Sequence, residues 1–409
     1  MKKISYVLAG ASFRCFSMFA QPIYEQYQDY IEITGIFDVN RGHSEYISER
    51  CGSIKVYDNF DEMIKTETPD VVLVTTVDAY HSDYIIRALE LGCDVITEKP
   101  MTIDATRCKA ILDAEQKYGK KVTVTFNYRY APYMTKIKEI IKSGAIGNVY
   151  SVHFEWLLDR NMEFGAHGTS YFRRWNSHME KSGGLLVHKS THHFDLVNWW
   201  LDAEPEKVSA FGKLNLYGKN GMIRGTNCRS CDHTEECNFR YQFNDFERDF
   251  FAKNEHYDGY FKDGCVYAED IDIYDTMSVI VLYVGGQMMS YSLNATTPYE
   301  GWRVSINGSL GRLEAFSPET GFQANERLSN EIKVFTLDNN VTEYYVTKTI
   351  GGHGGGDSRL HEMLFRGIGD KSLGYEAGTK AGANSILIGI AANISIRDGR
   401  LVKIDELSR

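Results

Sequence analysis

Three histidines and an aspartate fall within eight residues of the stretch Gly183 to Leu201, GGLLVHKSTHHFDLVNWWL. Imidazole takes up or releases a proton near neutral pH, so His188, His192 and His193 beside Asp195 are candidates for proton transfer. Read as one helix, His188, His192, Asp195 and Trp199 stand at i, i+4, i+7 and i+11 and share a face. Leu186, Phe194, Val197 and Leu201 then meet the core. Gly183 and Gly184, just before, let backbone approach a ligand closely. The His188-x-x-x-His192 spacing also suits a metal, with Asp195 as third ligand, which keeps a metal-assisted hydrolase or lyase in view.

Positioning such a site takes more than one ordinary core. At 409 residues the chain predicts two domains. A formal charge of −10 argues against nucleic acid and anionic membrane as partners. No apolar run reaches the length of a membrane helix. The start, MKKISYVLAGASFRC, has the lysines and apolar run of a signal peptide, but Arg14 interrupts it, so we read a strand and turn in a cytoplasmic protein.

Residues 1–127 alternate strand and helix. Strands are expected at Ile4 to Ala9, Ile31 to Val39, Val71 to Thr76, Val95 to Thr97 and Val122 to Phe126. That order predicts a doubly wound parallel sheet, α/β in class, with ligands at the carboxyl ends of its strands. Residues 128–409 form a second, α+β domain for substrate and oligomer contacts. Seven strands between Val149 and Leu337, with glycine turns at Gly285-Gly286 and Gly308 to Gly311, predict an open, mostly antiparallel sheet. Its free face predicts a homo-oligomer.

The first turn, Gly10-Ala11-Ser12-Phe13-Arg14-Cys15, stands where a G-x-G-x-x-G dinucleotide loop would. Only Gly10 is kept, but Ser12 is small, and Phe13 and Arg14 complete the expected cofactor loop. Asp38 ends the second strand, where a carboxylate can bond both hydroxyls of an adenosine ribose and repel a 2′-phosphate. That favours NAD over NADP. The degraded loop alternatively suits a non-catalytic NAD-binding regulator.

Of eight cysteines, four crowd the polar and aromatic stretch 218–269. Cys228, Cys231 and Cys237 form C-x2-C-x5-C, and Cys265 follows near the entry to a strand. Short spacing in a cytoplasmic chain suits a closed structural zinc site better than a disulfide framework.

Glu98-Lys99-Pro100 after the fourth strand resembles the E-K-P triplet of the Gfo/Idh/MocA oxidoreductases, named for glucose-fructose oxidoreductase and inositol dehydrogenase. The resemblance covers nearly the whole chain. Thr76 to His81 looks like the family's T-P-x-x-x-H turn, with Val77 for proline. Asn127-Tyr128-Arg129 with Pro132 looks like its N-x-R-x-x-P passage, and Gly144 to Gly147 like its G-x-I-G. Gly183, Gly184, Leu186, His188, Ser190, His192 and Asp195 resemble G-G-x-L-x-D-x-G-x-H-x-x-D, with His188 for the first Asp and Ser190 for Gly.

The resemblance implies NAD(P)-dependent oxidation of a sugar or polyol hydroxyl. Thr76, His81, Glu98, Lys99 and Asn127 would line the cofactor. Lys99 would supply the cation for a developing alkoxide, and His192, aided by His188, would move the proton. Tyr128, Asp195, Trp175, Arg173, its neighbour Arg174 and His353 of the Gly351–Gly356 loop are the candidate sugar contacts. The variant histidine stretch and the cysteine insertion narrow the expected substrate to glycosides oxidised to keto sugars.

Overall fold

The computed structural model describes residues 3–321, 324, 328–349, 351–369 and 371–407. β1 (Ile4–Ala9) is the middle of the first sheet. Val7, Leu8 and Ala9 are fully buried, as a parallel strand covered on both faces requires. β1 pairs in parallel with β2 (Ile31–Phe37) and β4 (Val71–Val74). With β3 (Lys55–Tyr57), β5 (Asp94–Thr97) and β6 (Val122–Val124) they form a six-stranded sheet in the order β3-β2-β1-β4-β5-β6. β3 escaped the sequence pattern because three residues carry no readable period. The winding reverses between β1 and β4, which opens a crevice at their carboxyl ends.

Capping fixes where the flanking helices start. Asn40, Asn59 and Asp104 each accept a hydrogen bond from the backbone N–H three residues on, ahead of the helices Arg41–Arg50, Phe60–Glu67 and Ala105–Tyr118.

The second sheet has nine strands: β7 (Val149–Asp159), β8 (Pro205–Lys213), β9 (Thr276–Tyr283), β10 (Met288–Thr297), β11 (Gly301–Gly308), β12 (Gly311–Pro318), β13 (Ser329–Thr336), β14 (Val341–Thr347) and β15 (Val402–Lys403). Their order is β14-β13-β12-β11-β7-β10-β9-β8-β15. β7 and β10 pair in parallel, and the other neighbours are antiparallel, so the sheet is mixed but mostly antiparallel. Met277, Val279 and Val281 point into a core shared with the helices Thr191–Leu201 and Thr379–Asp398. Ile280 and Met288 lie on the opposite, uncovered face.

Gly389 lets the last long helix close on the site-bearing segment. A Cβ there would stand 2.2 Å from the Leu186 carbonyl oxygen, so the two backbones are in contact. Just before that helix, the Ala377 carbonyl accepts from the Val124 N–H, which ties the edge of the first sheet to the second domain.

Candidate active site

Lys99 follows β5 at the carboxyl edge of the first sheet, and its bond to Pro100 is cis. Its ammonium donates to the His188 carbonyl of the second domain at 3.1 Å. Burial pulls the Lys99 pKa down to about 8, against the opposing pull of Asp78 and Glu98. The cleft therefore has a cation near neutral pH that needs little stimulus to give up its proton.

His192 opens the helix Thr191–Leu201 and is buried. Neither of its ring nitrogens has a partner among the described residues. Its ring meets Tyr128 edge-on at 4.9 Å and lies 5.5 Å from His353. Burial first, then the charge on Lys99, hold its pKa well below the ordinary histidine value. A neutral imidazole with two unspent nitrogens, beside a lysine, is equipped to accept a hydroxyl proton.

The single helical face expected of His188, His192 and Asp195 does not form. The helix Leu185–His188 stops, Lys189 and Ser190 make a turn, and a new helix begins at Thr191. The Ser190 N–H closes back on the Leu185 carbonyl at 2.9 Å, and its hydroxyl meets the Tyr291 hydroxyl at 2.9 Å. His188 Nδ1 thereby turns to Asp78 Oδ2, 2.5 Å away. Burial, then Lys99, keep His188 well below its usual value, while burial pushes the Asp78 carboxyl well up. A carboxyl is thus restored beside Lys99, contributed by the first domain through Asp78. His193 belongs to the core, with Nδ1 2.6 Å from the Tyr291 hydroxyl and its ring stacked on Trp156 at 3.8 Å.

Asp195 faces away from the cleft. Arg129 donates to it from Nε at 2.7 Å and from Nη2 at 2.6 Å, both side chains being buried. The substrate contact and metal ligand expected of Asp195 give way to this ion pair, because a buried carboxylate needs its charge balanced first. Arg173 is likewise corrected. It is buried and donates to the carbonyls of Phe239 and Gly264 and to Cys228 Sγ, so it anchors the cysteine insertion. Arg174 folds back onto the Ser170 carbonyl at 3.1 Å. Trp175 stays at the cleft, edge-on to His188 at 5.5 Å.

The cofactor loop is built from close backbone approaches. Gly10 has φ +97°, and a Cβ there would lie 2.6 Å from the Thr76 nitrogen. Asp38 accepts from the Ala11 N–H at 2.5 Å and the Asn40 N–H at 2.7 Å, and burial raises its pKa to about 6. Arg14 donates to Glu98 at 3.1 Å and lies 3.8 Å from Asp357. Asn127 Nδ2 lies 2.8 Å from His353 Nδ1 and donates to Asp357 at 2.6 Å, and its own Oδ1 is buried with no partner among the described residues. His81 departs from expectation: its ring nitrogens lie 2.8 Å from the Pro100 carbonyl and 3.1 Å from that of Thr76, so the ring is turned to these two backbone segments. Ser12 accepts from the Cys15 N–H at 3.1 Å, and Phe13 is exposed at the rim. Glycine at the tight turn, an acid at the end of β2 and free capacity on Asn127 and His192 fit a dinucleotide lying across the strand ends.

Three further features had no readable sequence signal. Asp78 lies in the turn already singled out, but its partner is 110 positions away. Lys189, buried, holds its ammonium 5.2 Å from the Trp156 ring centre and 5.7 Å from that of Tyr128. Tyr171 meets His167 Nε2 at 2.9 Å, and His167 Nδ1 meets the buried Glu300 at 2.9 Å. In sequence, Lys189 stands between His188 and His192.

Cys228, Cys231, Cys237 and Cys265 line one small hollow with Arg173, Asn227 and Phe239. All are free thiols. Among the described residues no group of three or more His, Cys, Asp or Glu side chains is arranged to hold a metal. No helix among them is long and apolar enough to cross a membrane.

A Rossmann crevice faced by a lysine and an unpartnered histidine defines an NAD(P)-binding oxidoreductase. The chain matches the NAD-binding Rossmann-fold domain of the Gfo/Idh/MocA oxidoreductase family over residues 4–126 and its C-terminal alpha/beta domain over residues 138–404, and it belongs to that family. It is similar to the putative oxidoreductase YteT of Bacillus subtilis, with 39% identity across 100% of this chain and 99% of that one. Inositol 2-dehydrogenase of Serratia proteamaculans is 30% identical over 42% of this chain and 47% of its own length. D-glucoside 3-dehydrogenase of Escherichia coli is 28% identical over 29% of this chain and 34% of its own. Among solved structures, an Agrobacterium radiobacter oxidoreductase in complex with NAD+, L-tartaric acid and magnesium shares the fold, with a TM-score of 0.67 at 15% identity over 99% of this chain and 100% of that one.

Proposed function

We propose that the protein transfers a hydride between a secondary hydroxyl of a sugar or glycoside and the nicotinamide of NAD, giving a keto sugar, with C3 as the oxidised position. The reading rests above all on His192, neutral and unpartnered, sharing one cleft with Lys99 from the other domain. NAD, when bound, takes up the hydride. His192 accepts the hydroxyl proton, and Lys99 stabilises the charge that grows on oxygen. Tyr128, His353 and Trp175 wall the cleft with ring faces suited to a pyranose. Relatives named for inositol and D-glucoside oxidation lend support to the substrate class and the position.

Incubation of the purified protein with NAD and a panel of free sugars and glycosides tests this. NADH absorbance should rise with a product two mass units lighter, for a glycoside in preference to its free sugar. Bound NAD with no turnover on any member would favour a regulator instead.

The same reading places the protein in the cytoplasm, where eight free thiols persist, and pairs copies through the uncovered sheet face around Ile280 and Met288. A structural zinc on the four clustered cysteines remains part of the proposal: they share one hollow, although among the described residues their side chains are not arranged around a metal. Elemental analysis of protein purified without added metal should give about one equivalent of zinc. Less than about half an equivalent, with four thiols titrating freely, would sink the assignment.

A further inference from the structure

The cysteine insertion reaches well beyond its own hollow. Its middle, residues 245–258, lies across the first domain where β2 hands over to the helix Arg41–Arg50. Phe250 is fully buried there and stacks on His43, with ring centres 4.3 Å apart and planes 2° from parallel. Tyr46 meets the same ring edge-on at 5.0 Å. Phe246 reaches the cofactor loop itself, 5.2 Å from Phe13.

Polar contacts fix the register of this packing. Asn40, the buried cap of the helix, donates from Nδ2 to the Asn254 carbonyl at 3.0 Å and to Asp258 Oδ2 at 2.9 Å. Its own N–H donates to Asp38 at 2.7 Å. One asparagine therefore holds two carboxylates, Asp38 from the first domain and Asp258 from the insertion. Gly42 lies directly against the insertion, where a Cβ would meet Asn254 Oδ1 at 2.0 Å. The charge on Asp258 also adds to the upward push on the Asp38 carboxyl, after burial.

We propose that residues 245–258 are the outer wall of the adenosine site, that Asp258 acts with Asp38 to reject a 2′-phosphate, and that the wall slows departure of NAD. The proposal rests on the reading of Asp38 as the ribose ligand. A ribose held by Asp38 sits under the insertion, so it cannot leave outward without displacing the wall. A phosphate on that ribose would face two carboxylates pinned by the same asparagine, and like charges brought together repel. Selectivity that a Rossmann fold commonly draws from one acid is then shared with a segment from the other domain.

Affinities of the full-length protein for NAD and NADP, with the NADH dissociation rate from stopped-flow fluorescence, test it. Asp258→Asn should tighten NADP binding at least about tenfold while NAD stays within about threefold, because one of two repelling charges is removed. Asp38→Ser is the control on the underlying reading and should weaken NAD and strengthen NADP. Gly42→Leu, which leaves Phe250 in place but forces Asn254 away, should speed NADH release at least about tenfold. If Asp38→Ser shifts selectivity and Asp258→Asn does not, the role of Asp258 is refuted and that of Asp38 stands. If neither shifts it, the adenosine ribose is bound elsewhere and both fall. An unchanged release rate in a folded Gly42→Leu protein refutes the wall.

Discussion

Lys99→Ala and His192→Ala should each lower turnover at least about a hundredfold while NAD still binds, the scale of losing a general base or a charge stabiliser. The two residues come from different domains and meet in the cleft, where Lys99 is held by the His188 carbonyl and the His192 ring nitrogens have no partner among the described residues. Oxidation should also fall as pH rises through about 8, where Lys99 loses the proton that makes it a cation. His192 stays neutral at neutral pH, so its protonation should limit the rate only on the acid side, below the ordinary histidine range. Steady-state kinetics across pH, with NAD binding measured by fluorescence, separate these effects. Near-normal turnover in both alanine variants would remove both from the chemistry.

Asp195→Ala should destabilise the protein by about 3–5 kcal/mol, the cost of stranding a buried charge. Among the described residues, Arg129 would keep the carbonyls of Gly374, Tyr375 and Glu376 as hydrogen-bond acceptors, at 3.3 to 3.5 Å. Asp195→Asn, which keeps two hydrogen-bonding atoms, should lose less. Urea unfolding reads the effect, and the Michaelis constant of the folded fraction should stay within about threefold, since Asp195 touches Arg129 and not the cleft. A variant that melts like the parent but binds substrate weakly would restore Asp195 to the site.

Local rules made much of the framework legible. Short apolar runs located β1, β4 and β5 to within a few residues, since strands buried on both faces need little else to declare themselves, and β2 and β6 followed from the alternation of strand and helix. Glu98-Lys99-Pro100 follows β5, Asp38 follows β2 and His192 lies at the start of the helix Thr191–Leu201, so each stands at a fixed offset from an element boundary. The four cysteines, 37 positions apart at the extremes, do share one hollow.

Orientation was beyond the reach of spacing. One helical face through His188, His192 and Asp195 assumes an unbroken helix, and the turn at Lys189-Ser190 is stabilised by Tyr291, a residue 101 positions on. Once the helix breaks, each side chain goes to the charge or dipole nearest in space: His188 to Asp78, Asp195 to Arg129, Arg173 to the insertion. The sequence by itself determined which residues carry protons and charge and which strands bear them. Only the tertiary structure decided which of those groups were paired, as Asp195 is with Arg129, and which, like the neutral His192, kept their ring nitrogens unspent, because burial makes every unpaired charge expensive and its partner is set by contacts between distant segments.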